Sequence, residues 1–552
     1  MSEQSSNSHD KHIQESVRLS ESKLWDIQKN YFETMGINAW EEDVPFYITN
    51  NTFIAYQYAS LMHQFMLDWQ NQKDPDQMIY IMELGCGTGK FSYYFLKALT
   101  QLLIEQPLTV SFCYVISDVT AKNTEFCENN LSFKPYIELG QVDFAVFDAS
   151  CDTDFYLKLA DKPFSECRKS PLVVISNYIF DCLPHDLLHI QEGKIHSLQY
   201  GLKSRYKNFD QQNVKYLNEL KFDITMEPIE LEAFYDDPKL IGILNGYLER
   251  MDGKPSMMPV PLAALKFLKN MQVLTKDNMF LIIGDKGVSS LENISRLPNN
   301  YRMTFEGCHT LLANLFIIGD YIKALGGDCV LSQKSTVFQV GLYSLGTAFE
   351  NLPNTQFSYT QNIDCLGPQE FASFYSMAIQ NAYRFSANSI NTFMKFSRWD
   401  PDAYALIHDR LVEIAPALMP HEVIELKSDL KKIEDNIYRL GLGFDVANLL
   451  GLFYQSQGNI EKAKALFQTA MDIYDDYGPP HNNIAMIYEE QKDKEKAIYH
   501  YGKAYEYDKK NLFAKQRMEI LQGKKYAILG RPFLRTLGVI ALIGALVYVM
   551  VK

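Results

Sequence analysis

Between residues 78 and 345, short apolar runs alternate with longer amphipathic stretches. MIYIMEL (78–84), TVSFCYVISD (109–118), VDFAVFD (142–148), PLVVISN (171–177) and MFLIIGD (279–285) are nearly continuous in apolar, β-branched or aromatic residues. Such runs predict strands buried on both faces. FSYYFLKALTQLLIE (91–105) places its apolar side chains at helical spacing, ENNLSF (128–133) lies near a second crossover, and DLLHI (186–190) reads as a further helix. Strand and helix in alternation predict an α/β fold with a mostly parallel sheet covered on both sides. A strand around Cys329 to Leu331 and the alternating STVFQVGLYS (335–344) close that sheet, and residues 201–260 read as an irregular insertion near the substrate.

The flanks follow other patterns. Residues 1–20 are polar and are expected to be disordered. Residues 21–75 form an N-terminal helical cap, with Leu24, Ile27, Tyr31 and Phe32 on one helix and Ile54, Tyr58, Leu61, Met62, Phe65, Met66 and Trp69 on another. The α/β domain is placed at 76–350. Beyond Pro368 strand signals cease. Residues 368–440 read as a helical linker or a degenerate repeat. In 441–525 a period of 34 appears, pairing Ala463 with Ala497, Ala470 with Ala504, Tyr454 with Tyr488, Phe467 with Tyr501 and Gly451 with Ala485. That is the tetratricopeptide period, with small residues where paired helices cross. The run LGVIALIGALVYVMV (537–551) carries no charge, and with its N-terminal flank it predicts a transmembrane tail anchor over 533–551. Lys524, Lys525, Arg531 and Arg535 before it place the body of the protein in the cytosol. The alternative is a buried C-terminal hydrophobic helix.

Composition narrows the functional classes. A net charge of −14 disfavours a chain devoted to nucleic-acid phosphates. None of the nine cysteines falls in a C-x-x-C pair, so a metal site is not expected and a reducing compartment fits.

The chemistry concentrates after the strands. Glu83-Leu84-Gly85-Cys86-Gly87-Thr88-Gly89 lies between a strand and a helix, in a G-x-G-x-G spacing that lets a ligand approach bare backbone. The dinucleotide fingerprint requires its third glycine one position later, where Lys90 stands, so a nicotinamide or flavin is disfavoured. Asp118 and Asp148 sit at the carboxyl ends of the next two strands, where open α/β sheets bind ligands. After the fourth strand comes Ser176-Asn177-Tyr178-Ile179-Phe180-Asp181-Cys182-Leu183-Pro184-His185. Asn177 can orient an acceptor, Asp181 can accept a proton or pair with a cation, and His185 titrates near neutral pH. Each also has a local reading: Asn177 and Asp181 as turn or helix caps, His185 as a loop residue.

E-L-G-C-G-T-G resembles the first motif of class I S-adenosylmethionine-dependent methyltransferases, which have a Rossmann-like fold. The resemblance implies that Gly85, Gly87 and Gly89, with Cys86 in the same loop, line the methionyl part of S-adenosyl-L-methionine above Glu83. It assigns Asp118 to the ribose hydroxyls, and Asp148 with Ala149 to the adenine edge. S-N-Y-I-F-D-C-L-P further resembles the N-E-F-F-D-A-L-P-V motif of the MidA-like methyltransferases. That family assists mitochondrial complex I assembly by dimethylating a protein arginine. Phe46-Tyr47-Ile48-Thr49-Asn50 and YASLMHQFMLDW are similar to the same family's N-terminal motif. Tyr178 stands where the family has glutamate, and Cys86 and Thr88 where it has proline and arginine.

The expected function is a membrane-tethered methyltransferase acting on a protein or peptide partner recruited by the repeats. The alternatives are a catalytically inactive tail-anchored scaffold and a small-molecule methyltransferase.

Overall fold

A computed structural model describes residues 10–524, apart from 43–46, 72–76, 168–169, 212–216, 252–254, 306, 333–336 and 476. The chain divides into two compact units, Met1–Phe444 and Asp445–Lys552.

In the first unit, α1 (Leu24–Met35) and α2 (Thr52–Gln70) precede the strands β1 (Ile79–Leu84), β2 (Phe112–Asp118), β3 (Val142–Val146), β4 (Leu172–Asn177), β5 (Met279–Val288), β6 (Asp328–Leu331) and β7 (Phe338–Leu345). They lie in the order β6-β7-β5-β4-β1-β2-β3. β1 to β5 pair in parallel; β7 runs antiparallel to β5, and β6 to β7. The alternation of strand side chains decides what covers each face. Ile79 and Ile81 pack with α2 and with α3 (Lys90–Glu105), whereas Tyr80, Met82 and Leu84 meet helices Pro238–Met251 and Leu262–Thr275. The strand order reverses at β1, which has β2 on one side and β4 on the other. Such a switch point opens a crevice beyond the carboxyl ends of the strands.

Three expectations need correction here. Lys11–Arg18, within the stretch expected to be disordered, is a strand paired with Lys194–Ser204. Residues 201–260 are not irregular: they supply strands Leu220–Pro228 and Ser256–Val260 and a helix to a second, antiparallel sheet. DLLHI is not a helix but the strand Asp186–Gln191 of that sheet. Leu187 faces one apolar cluster, and Leu188 and Ile190 face another. A short run buried on both sides has no periodicity to separate strand from helix.

Residues 368–440 belong to this first unit rather than to the repeats. They form helices Pro368–Asn381, Ala387–Phe396, α5 (Pro401–Ile414) and Pro420–Asp435, counted after α4 (Ala121–Asn129) in the sheet region. Asp400 caps α5 and also accepts the Thr52 amide at 3.0 Å; Asp402 pairs with Lys90 at 2.6 Å; Tyr438 Oη donates to Thr88 O at 2.8 Å. The segment thus grips α2 and the glycine turn from behind.

The second unit stacks helices α6 (Val446–Ser456), α7 (Ile460–Ile473), α8 (Gly478–Glu490), α9 (Lys494–Tyr507) and α10 (Leu512–Leu521). Small residues sit where helices cross: a Cβ on Gly451 would lie 2.5 Å from the Phe467 ring, and Ala463, Ala470, Ala485, Ala497 and Ala504 are fully buried.

The tail-anchor expectation is also corrected. Among the described residues no helix is long and apolar enough to cross a membrane, and 533–551 lies outside them. The expected transmembrane helix and membrane localisation are therefore not supported.

Candidate active site

The crevice at the β1/β4 switch point is built by two turns. The first, Gly85 to Gly89, leaves β1 and enters α3. Gly85, Gly87 and Gly89 all have positive φ, between 53° and 72°, a region where a Cβ is costly. The backbone is also approached closely there. A Cβ on Gly85 would stand 2.3 Å from Ile179 Cδ1, and one on Gly87 would stand 2.8 Å from Trp40 Cζ2. Trp40, from the short helix Ala39–Glu42, therefore lies over the turn.

Carboxylates stand at the ends of the first three strands, and Asp118 bonds the turn itself. Glu83 lies beneath it, buried, accepting from Ser92 Oγ and, at 2.8 Å, from Tyr114 Oη. Burial pushes its pKa up to about 7, with a further push from the Asp118 charge and partial relief from those two donors. Asp118 ends β2, 4% exposed. Its Oδ2 accepts the Gly87 N–H at 3.0 Å, and its Oδ1 accepts the Thr120 N–H at 2.9 Å and Thr120 Oγ at 3.1 Å. Burial raises its pKa despite these donors. Cys86, also buried, stands with its Sγ 3.8 Å from Asp118 Oδ2, and burial raises its thiol pKa. Asp148 follows β3 and is held by Lys29 Nζ at 2.8 Å and by Ser150 N–H and Oγ. Burial opposes its charge, but Lys29 and the Ser150 donors prevail and lower its pKa. Ala149 beside it is buried.

The second turn leaves β4. Leu84 and Ser176 are register partners, as are Asn177 and Gly284, so this turn stands beside the glycine turn. Asn177, Tyr178 and Ile179 are half-buried at its mouth. Asn177 Oδ1 accepts from Tyr58 Oη at 2.9 Å, which fixes the amide orientation. Tyr178 has φ 57°, a left-handed conformation strained in a non-glycine residue and concentrated at functional turns.

Asp181 and His185 lie deeper. Asp181 is 2% exposed; its N–H donates to Asp285 Oδ2 at 3.2 Å, and its Oδ1 accepts from Cys182 Sγ at 3.0 Å. Burial, then the adjacent Asp181 charge, raises the Asp285 pKa well above its ordinary value. His185 is fully buried, with Nδ1 2.6 Å from Leu183 O, and burial lowers its pKa to about 4. It is neutral at physiological pH. His309 is likewise buried, with Nε2 3.1 Å from Leu217 O.

The structure thus gathers Glu83, Gly85, Cys86, Gly87, Gly89, Asp118 and Asn177 around one crevice. Trp40, Lys29, Tyr58 and Asp285 were not foreseen. Of these, Asp285 alone had a legible signal, an acidic residue at the end of the MFLIIGD run.

A bare-backbone turn with acidic residues at successive strand ends is the arrangement by which open α/β sheets bind nucleosides. Residues 60–290 match the family model described as "Putative S-adenosyl-L-methionine-dependent methyltransferase", and residues 444–510 match a tetratricopeptide repeat model. The chain thus carries a domain of an S-adenosylmethionine-dependent methyltransferase family, which uses S-adenosylmethionine as cofactor, together with tetratricopeptide repeats. Among solved structures it is similar to a Burkholderia thailandensis protein bound to S-adenosyl-homocysteine, at 14% identity, covering 61% of this chain and 90% of that one with a TM-score of 0.40. A native crystal structure from the same organism is 15% identical, with the same coverage and a TM-score of 0.38. A curated relative, the uncharacterized protein ycf37 of Pyropia yezoensis, is 33% identical over 97 residues, which is 18% of this chain and about half (52%) of that relative.

The glycine turn offers backbone with no Cβ of its own and is held by Asp118, and a cofactor seated on it displaces the Trp40 and Ile179 side chains. Trp40 and Ile179 close over that backbone.

Proposed function

We propose that the chain methylates a protein acceptor that its tetratricopeptide repeats recruit. The cofactor, when bound, supplies a methyl carbon activated by a sulfonium. The protein's tasks are then to orient the acceptor, exclude water and let the acceptor present its lone pair.

The carrying observation is the β4 turn. Asn177 is half-buried, its amide oxygen is taken by Tyr58, and its NH2 end is oriented by that bond. Strained Tyr178 follows it, and Ile179 contacts the glycine turn. An oriented polar group and an aromatic side chain beside the glycine turn support this reading. In this reading Asn177 contacts the acceptor. Asp181, buried with Asp285, holds the turn, and His185 takes no part in proton transfer. Gly85, Cys86, Gly87 and Gly89 line the cofactor. Asp118 and Asp148, with Ala149, stand on its sugar and base side, and Glu83 supports the turn.

A protein acceptor is favoured by the repeats, because stacked helix pairs expose concave surfaces suited to peptide segments. The test uses labelled S-adenosylmethionine with a lysate separated into protein and metabolite fractions. Label in protein that falls when the repeats are removed supports the reading. Label confined to metabolites overturns it in favour of a small-molecule methyltransferase.

A further inference from the structure

Tyr438, far along the chain from the glycine turn, is packed against it. It is 7% exposed, follows the last helix of the segment 368–440, and donates from Oη to the Thr88 carbonyl at 2.8 Å. Its ring stacks on Tyr93 of α3, with centroids 5.2 Å apart, and meets the Phe133 ring near edge-on at 6.0 Å. The next residue is anchored as well, since Asn130 Nδ2 donates to Arg439 O at 2.6 Å. The same segment takes Lys90, the first residue of α3, in an ion pair with Asp402 at 2.6 Å. Gly89 is fitted to this packing. Where Gly85 and Gly87 turn their bare Cα toward Ile179 and Trp40, a Cβ on Gly89 would lie 2.5 Å from Cys127 Sγ and 2.9 Å from Tyr438 Oη.

From this geometry we infer that Tyr438 is a positioning residue for S-adenosylmethionine: its hydroxyl fixes the Thr88 peptide, and with it the Gly87–Gly89 backbone, in the conformation on which the cofactor is seated. The inference rests on the cofactor assignment above. Gly85, Gly87 and Gly89 make the turn costly to order, because glycine gives up more conformational freedom than any other residue. Two bonds offset that cost at adjacent positions. Asp118 takes the Gly87 N–H, and Tyr438 gives its hydroxyl to the Thr88 carbonyl. A turn ordered before the ligand arrives spares binding that loss of entropy. Tyr438 lies outside residues 60–290, which match the methyltransferase family model. This part of the cofactor site is therefore contributed by the helical segment, not by the family domain itself.

The test is titration calorimetry of the full chain with S-adenosylhomocysteine for wild type, Tyr438→Phe and Tyr404→Phe, with thermal unfolding of each without ligand. Tyr438→Phe keeps both ring contacts and removes only the hydroxyl. Tyr404 is the matched control: it is buried in α5 of the same segment, and its hydroxyl bonds His408 Nδ1 at 3.0 Å, within its own helix. Both variants are expected to melt cooperatively, lowered by a similar amount. S-adenosylhomocysteine should bind Tyr438→Phe at least about threefold more weakly, the scale of one neutral hydrogen bond, and Tyr404→Phe with wild-type affinity. In labelled methyl transfer to lysate protein, Tyr438→Phe should raise KM for S-adenosylmethionine by the same factor and leave kcat unchanged. A smaller loss of affinity in Tyr438→Phe overturns the inference, as does a fall in kcat at unchanged KM. An equal loss of affinity in both variants also overturns it, because Tyr438 would then be only a support of the fold. If the wild type itself takes up no S-adenosylhomocysteine, the cofactor assignment falls first and this inference with it.

Discussion

Asp118 Oδ2 accepts the Gly87 N–H at 3.0 Å, so the acidic residue that ends β2 holds the glycine turn that follows β1. Sequence reasoning gives Asp118 to the cofactor's sugar; the structure gives its carboxylate a prior task, tying two strand ends together. Replacing Asp118 with alanine leaves the Gly87 and Thr120 amides without their acceptor in a buried setting. The expected cost is about 1–3 kcal/mol of stability, with S-adenosylhomocysteine binding lost alongside. Differential scanning calorimetry with and without ligand checks both. An unchanged melting temperature would show that the turn does not depend on this bond.

Glu83 predicts a pH dependence of defined sign. Its folded pKa is about 7 against an ordinary 4.5, so between these values the folded state binds more protons than the unfolded chain. Its contribution to stability is therefore fullest below about pH 4.5, falls as pH rises toward about 7, and is flat beyond, by up to about 3 kcal/mol. Urea unfolding of wild type against Glu83→Gln across pH 5 to 8 should show the wild type losing ground over that window. A constant difference between the two would remove the buried carboxylate from the account.

Asn177 is expected to act on turnover rather than on cofactor binding. Asn177→Ala should lower kcat by about a hundredfold, the scale for losing one oriented polar contact in a transition state, while S-adenosylhomocysteine affinity stays within about twofold. Tyr58→Phe, which frees the amide without removing it, should cost less. Equal losses in affinity and rate for Asn177→Ala would instead make it a cofactor residue.

His185 is expected to be dispensable for chemistry. Removing a true general base costs on the order of 10²–10⁴ in rate. The neutral, buried His185 predicts a loss of less than about fivefold for His185→Gln in protein that still melts cooperatively, since no proton transfer runs through it. Its lowered pKa also makes its share of stability fade as pH falls from 6.5 to about 4.

Trp40 should report ligand entry. Because its indole lies over Gly87, a cofactor seated on that backbone must move it. Tryptophan emission is expected to change on adding S-adenosylhomocysteine, and Trp40→Phe should abolish the change although three other tryptophans remain. A full signal in Trp40→Phe would place the ligand elsewhere.

What the sequence disclosed follows from the range of each interaction. The parallel strands were legible because burial on both faces makes their apolar runs continuous, and the glycine turn because its spacing is local. The 34-residue repeat was legible because each helix pair meets the next through the same small residues. The second sheet was not. Lys11–Arg18 is a polar-rich segment whose strand character comes from pairing with residues some 190 positions away. Nor could any local pattern place Trp40 on Gly87, or Tyr438 behind Thr88, 350 positions apart. In the β4 turn the sequence did not disclose the depth of its members. Asn177 reaches the mouth, whereas Asp181 and His185 are turned into the core.

The central claim is that this glycine turn holds a methyl donor for transfer to protein. The most direct measurement is transfer of labelled methyl from S-adenosylmethionine to lysate protein by wild type and by Gly87→Asp. At Gly87 the φ is +53° and a Cβ would meet the Trp40 ring at 2.8 Å, so the variant should be unable to seat the donor. The account predicts labelled protein with the wild type and background with the variant. Equal labelling by both, or none by a folded wild type that also fails to bind S-adenosylhomocysteine, would contradict it.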